Sequence, residues 1–205
     1  MNFYLKNFLF LISVLFVGSC AIQVAPTGGV KDATPPKAMK FIPENYSANF
    51  AQSDIHISFD EYIQVKDINS QLIVSPPLKY QPEIKARSKS LFIRIADTLL
   101  KNTTYTFNFG NAISDITEGN IFENFQYVFS TGNQLDSLSA SGKVENAFDN
   151  KTLGGIDVML YKSIDDSVPL KQLPNYLART NAEGRFTINN VSAGDRKSTR
   201  LNSSH

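Results

Sequence analysis

His56, Ser58 and Asp60 stand at alternate positions of "DIHISFD", and a histidine, a serine and an aspartate are the side chains of a hydrolytic relay. In an extended strand all three project from one face, but successive same-face positions lie roughly 7 Å apart. A nucleophile must sit within hydrogen-bond reach of a base that a third group orients. No glycine-rich oxyanion loop adjoins them, so the stretch reads as a solvated strand face. Asp60 with Glu61, and Asp115 with Glu118 in "DITEGN", are acid pairs that could serve in proton transfer or hold calcium. Calcium takes about six to eight oxygens, and "DITEGN" supplies only part of that set. With two histidines, one of them the last residue, and a single cysteine, histidine-based catalysis and zinc lack ligands. No "GxSxG" or phosphate-binding loop occurs. The expectation is a chain that is not an enzyme, with no cofactor, no metal and no evident small-molecule substrate.

The one cysteine, Cys20, closes "LFVGSC" at the end of an apolar run from Phe8 to Val17. That run is about ten residues, half of what a bilayer-spanning helix needs. With Lys6 before it and small residues after, it has the layout of a secretory signal. Val17, Gly18, Ser19 and Cys20 resemble the bacterial lipobox, which implies cleavage before Cys20 and lipidation of its thiol. The alternative is a signal peptide that ends near a buried or free cysteine. A lone cysteine in an exported chain forms no internal disulfide, and lipidation gives it a use. Two or more acyl chains would hold the protein at a membrane surface without spanning it. "AIQVAPTGGVKDATPPK" follows, without an aromatic residue or a helical period, and reads as a flexible stalk.

The elements that position everything else are strands. A net charge of +1 argues against nucleic acid or another charged polymer held by bulk charge. The 15 Phe and 8 Tyr sit largely in short segments that alternate with polar residues, between Pro, Gly, Asn and Asp turn signals, which points to an all-β sandwich or barrel. Ile55, Ile57 and Phe59 share a face, as do Leu91, Ile93 and Ile95, then Tyr105, Phe107 and Phe109, then Phe125, Tyr127 and Phe129. Weaker strands are expected at 37–42, 71–75 and 80–87, the second stopped by Pro76-Pro77. About seven strands fit between Pro35 and Thr131.

"PPKAMKFIPENYSANF", "ISFDEYI", "SLFIRIADTLLKNTTYTFNFGNAISDITEGN" and "YVFST" together resemble the bacterial Ig-like domain of the SbsA type, in the variant found in Bacteroidetes lipoproteins. The matching positions are Pro35 and Pro36, Pro43 and Asn45, Phe59 to Glu61, Leu100 to Tyr105, Asp115 to Asn120, and Phe129 to Thr131. Leu100, Thr103 and Tyr105 fit a tyrosine corner, whose phenol bonds back to upstream backbone. Asp115 fits a side-chain-to-backbone turn, and Gly119-Asn120 a backbone with positive φ. These are fold residues rather than a site.

After "GNQLDSL", the stretches "SASGKVENAFDNKTLGGIDVMLYK" and "NYLARTNAEGRFTINNVSAG" resemble the carboxypeptidase regulatory-like domain, a small transthyretin-like sandwich. Gly142, Val144, Val158, Leu160, Thr180, Gly184, Phe186 and Gly194 carry that resemblance. The family closes on another core strand, whereas this chain reads "DRKSTRLNSSH", which resembles a non-native or truncated tail. The organisation is therefore a signal peptide with its helix at 1–19, a stalk at 20–34, an Ig-like domain at 35–132, a second, incomplete β-sandwich at 133–195 and a tail at 196–205.

Functionally, these readings imply a non-enzymatic envelope lipoprotein whose domains act as spacers or protein-interaction modules, with the membrane and other envelope proteins as partners. The alternatives are a glycan- or calcium-dependent adhesin and an accessory segment of a larger enzyme. Surface-exposed lipoproteins of the Bacteroidetes, which this chain resembles, often carry acids just after the cysteine; here the first acid is Asp32, so the resemblance implies the outer membrane with the domains facing the periplasm. "DTL", "DSL" and "DSV" resemble the short Bacteroidetes O-glycosylation motif, with Ser137 in the connector the best placed of the three.

Overall fold

Side chains that alternate between apolar and polar along an extended chain require a sheet with one dry face. In the computed structural model the alternating stretches become strands. The structure describes residues 29–163 and 165–193, and the backbone of 200–204. The expected signal helix, with Val17, Gly18, Ser19 and Cys20, and the first part of the stalk lie outside the described residues. Contacts divide the chain into Met1–Asp32 and Ala33–His205. Residues 29–32 carry no regular secondary structure, and every strand described below belongs to the second unit.

The first sandwich has two main antiparallel sheets. One comprises β1 (Ala38–Ile42), β2 (Asp54–Phe59), β5 (Glu83–Arg87) and β6 (Ser90–Arg94), in the order β1-β2-β6-β5. The other comprises β4 (Ile73–Ser75), β7 (Thr104–Asn108) and β9 (Gln126–Ser130), in the order β4-β7-β9. A small ladder joins β3 (Ile63–Val65) to β8 (Ile113–Asp115). Among the described residues this makes nine strands; the two beyond the anticipated set, β3 and β8, have three residues each, too few to show alternation.

The inward positions are those the alternation selects. Ile55, Ile57, Leu91 and Ile93 from one sheet meet Tyr105, Phe107, Tyr127 and Phe129 from the other, each at most 2% exposed. Phe129 is the hub: the ring centroids of Phe50, Tyr105, Phe107 and Tyr127 lie 3.9, 5.5, 5.9 and 6.1 Å from its own. The three pairs at 5.5 Å or more each add about 0.5–1.5 kcal/mol beyond the area they bury. Between β1 and β2 the chain crosses to the edge of the second sheet. There Tyr46 N–H donates to the Val128 carbonyl (2.7 Å), Ser130 N–H to Ser47 (2.8 Å) and Phe50 N–H to Ser130 (2.9 Å), with Ser47 and Phe129 in a parallel bridge.

The second sandwich pairs β10 (Leu138–Lys143) with β13 (Arg185–Val191), opposite a sheet of β11 (Asp157–Tyr161), β12 (Tyr176–Arg179) and β14 (Arg200–Ser204). Val158, Leu160, Tyr176, Ala178, Phe186 and Ile188 form its core. Two of its glycines have a steric reason. A Cβ on Gly142 would lie 2.8 Å from the Phe186 ring, and one on Gly184, at φ 71°, would lie 2.5 Å from the Val144 carbonyl oxygen. Residues 200–204, part of the stretch that resembles a non-native or truncated tail, supply β14, whose backbone pairs with all of β11 from Asp157 to Tyr161. An edge strand is held by backbone ladder bonds, so it needs no apolar alternation.

The two sandwiches abut. Ser75, Thr104 and Thr106 point outward from β4 and β7, yet they are 7%, 1% and 7% exposed. Ser75 Oγ accepts from Leu177 N–H (3.1 Å), Thr106 Oγ1 from Asn190 Nδ2 (2.7 Å) and Thr104 Oγ1 from Asp136 N–H (2.9 Å). Among the described residues no helix is long and apolar enough to cross a membrane.

Candidate functional site

The three residues with the types of a hydrolytic relay do not assemble into one. His56 and Ser58 lie on the outer face of β2, where the His56 ring stacks on Phe92 of β6 with centroids 4.6 Å apart and planes 5° from parallel. His56 Nε2 has no hydrogen-bond partner among the described residues. Asp60 lies just past the strand, and its Oδ1 accepts from Lys37 N–H at 2.8 Å. His56 faces Phe92, Asp60 holds the Lys37 amide, and none of the three orients another.

Asp115, at the end of β8, is buried and both its oxygens are occupied. Oδ1 accepts from the amides of Glu118 (2.6 Å) and Gly119 (2.9 Å), and Oδ2 from that of Asn120 (2.8 Å). Burial pushes this carboxyl up, but the amides of Gly119, Glu118 and Asn120 together outweigh it and hold the group below the usual carboxylate range. The carboxylate thus caps the "DITEGN" turn. Of the Gly119-Asn120 pair, Gly119 carries the positive φ, 81°, while Asn120 Nδ2 donates to the Thr34 carbonyl at 3.2 Å. Among the described residues no group of three or more His, Cys, Asp or Glu is placed to share a metal ion.

Tyr105 makes the corner its surroundings suggest, with its hydroxyl accepting from Leu100 N–H at 2.9 Å. Leu100 contributes backbone rather than core, since its residue is 60% exposed. Tyr127 makes a second anchor by donating to the Pro43 carbonyl at 2.9 Å. Burial pushes both phenols above their ordinary value. Phe59 and Phe129 are core residues, at 4% and 0% exposed. Ser137 is exposed in the connector just before β10.

Several working residues escape a reading of the chain alone. Arg179 on β12 bonds Asp157, its register partner on β11, through Nε at 2.6 Å, and also donates to the Ser70 carbonyl in the first sandwich. Only the opposite charges facing each other across a ladder hint at the first contact, and nothing local hints at the second. Tyr176 anchors the second sandwich much as Tyr105 does the first, its hydroxyl accepting from Ser192 N–H at 2.9 Å. The outer face of β1-β2-β6-β5 forms a groove of about 480 Å³ around His56 and Phe92.

Residues 32–131 match the family model of the bacterial Ig-like domain, and with the sandwich above they form an Ig-like domain. Among solved structures, the N-terminal part of the bacterial S-layer protein SbsC aligns at 16% identity and a TM-score of 0.34, over 84% of this chain and 41% of that one. A longer form of SbsC aligns at 15% identity and a TM-score of 0.32, over 83% of this chain and 24% of that one. An L,D-transpeptidase from Mycobacterium smegmatis aligns at 11% identity and a TM-score of 0.32, over 78% of each chain. This chain thus spans less than half of the SbsC chains it resembles. No curated protein matches it.

Proposed function

We propose that the protein is a non-enzymatic lipoprotein of the bacterial cell envelope, in which an Ig-like domain and a second β-sandwich form a spacer or protein-interaction module. The observation that carries this reading is where the polar side chains go. Asp115, Tyr105, Tyr127 and Thr104 hold turns, corners and the connector. Ser75, Thr106 and Arg179 join one sandwich to the other. These polar side chains stiffen a two-domain body. The lipobox-like Val17 to Cys20 supports an anchor at Cys20, and the lack of an acid before Asp32 supports the outer membrane of a Bacteroidetes-type cell with the domains in the periplasm. The glycine, valine and threonine pattern from Gly142 to Gly194 supports kinship of the second sandwich with carboxypeptidase regulatory-like domains. Exposed Ser137 is the place for an O-linked sugar, which would shield the connector.

Palmitate labelling and mass spectrometry of the mature N-terminus test the anchor: a modified Cys20 with no Met1 to Ser19 is expected, and a soluble mature protein starting elsewhere would refute it. Protease shaving of intact cells should leave the domains uncut; rapid digestion would place them on the cell surface. A peptide across Ser137 found unmodified in native-host protein would remove the sugar. The stack of half-buried His56 on exposed Phe92 favours a second reading, in which the module holds a saccharide.

A further inference from the structure

The outer face of β1-β2-β6-β5 presents three rows of side chains that run across the strands. Register places Lys40, Ser58, Ser90 and Arg87 in one row, and Ile42, His56, Phe92 and Lys85 in the next. Asp54, Arg94 and Glu83 make the third. Neighbouring rows are separated by roughly 7 Å, the same-face repeat of a strand. The middle row is the apolar one: Phe92 and Ile42 are 41% and 46% exposed, and the parallel His56 ring braces one side of Phe92. An aromatic face carries a negative quadrupole, and the C–H face of a sugar ring is apolar and weakly positive, so the two pack together.

Charge distinguishes the two flanking rows. In the third row both acids are already paired, Asp54 with Arg94 Nε at 2.7 Å and Glu83 with Lys85. In the first row Lys40 and Arg87 join no ion pair among the described residues, and the Ser58 and Ser90 hydroxyls between them make no side-chain hydrogen bond there. The charge left over on this face is therefore positive, it lies one row from the rings, and Arg87 offers a planar fork that suits a carboxylate.

We infer that this face binds an acidic saccharide, with a sugar ring on Phe92 and its carboxylate on the Arg87–Ser90 side of the first row. The inference rests on the saccharide-binding reading and not on the anchor at Cys20. A neutral glycan would leave Lys40 and Arg87 unanswered, and a simple anion would leave Phe92 and Ile42 unused.

The test is calorimetric titration of the full chain with trimers of galacturonic, mannuronic and glucuronic acid, alongside maltotriose and the methyl ester of the galacturonic trimer. Binding of at least one acid trimer is expected. It should be weakened about tenfold by Phe92→Ala and about fivefold by Arg87→Gln, the scale of one lost ring contact and one lost charge-assisted bond. Added salt should weaken it further. Phe148→Ala, which removes a 98% exposed ring of the second sandwich, should leave it unchanged. Phe92→Leu, which keeps an apolar side chain, serves should the alanine variant melt early. Equal binding of acid and ester, or maltotriose binding alone, would refute the acidic ligand while sparing a saccharide site. Failure of every trimer to bind, or indifference to both substitutions, would remove the site altogether.

Discussion

The two sheets of the first sandwich have similar inner faces and opposite outer ones. Around β2 and β6 the outward residues Asp54, His56, Ser58, Phe92 and Arg94 are at least partly open to water. Around β4 and β7 the outward residues Ser75, Thr104 and Thr106 are buried, and each hydroxyl accepts a bond from the connector or the second sandwich. Along the chain the stretches look the same, apolar residues alternating with polar ones. A polar residue at an outward position can thus be a solvated surface or half of a domain joint, and only the tertiary arrangement separates the two.

The largest losses are expected in the core that both faces share. Phe129→Ala should cost about 3–5 kcal/mol and Tyr105→Ala about 3 kcal/mol or more, as for other large aromatic truncations, read from urea unfolding. Tyr105→Phe keeps the ring and should cost only about 1 kcal/mol, the worth of one hydrogen bond. Next comes Asp115→Asn, expected to cost about 1–3 kcal/mol because amides that met a charge would meet a neutral group. Since the folded carboxyl lies below its unfolded value, its stabilisation is complete above about pH 4 and is lost as pH falls through the folded value. Unfolding midpoints measured from pH 6 to pH 2 should therefore fall less steeply in the variant; parallel curves would assign the acid limb to other groups. On the covered face, Thr106→Val should cost about 1 kcal/mol by leaving Asn190 Nδ2 without its partner. On the open face, Ser58→Ala should stay within about 0.5 kcal/mol. His56→Ala should cost about 1 kcal/mol or less, because only the stack on Phe92 is lost and Nε2 has no partner to lose. If the covered and open substitutions cost the same, the joint contributes nothing to folding.

The sequence carries most of the first sandwich because its signals are local. A period of two picks out Ile55, Ile57, Leu91 and Ile93, and the Leu100–Tyr105 spacing marks the corner because that bond spans five residues. Asp115 is legible for the same reason, since its partners are three to five residues on. Contacts over longer separations are not. Arg179 reaches Ser70 and Asn190 reaches Thr106 across separations of 109 and 84 residues, and no pattern in either stretch announces the other. The rows on the open face need the register of β1, β2, β5 and β6, which alternation alone leaves undetermined. Strand β14 has no alternation to read, because pairing through backbone leaves no mark on side-chain pattern.

The segment around Tyr46 to Phe50 lies parallel to β9, an early stretch of the domain beside its last strand. Tension applied through the two ends of this domain would pull these neighbours in opposite directions along their length. Their hydrogen bonds would then be loaded in shear and give way together rather than peel apart singly. Resistance to pulling is a matter of unfolding rate rather than of equilibrium stability, so this patch would act as the domain's mechanical fuse, and its strength could be high even if the fold were only marginally stable.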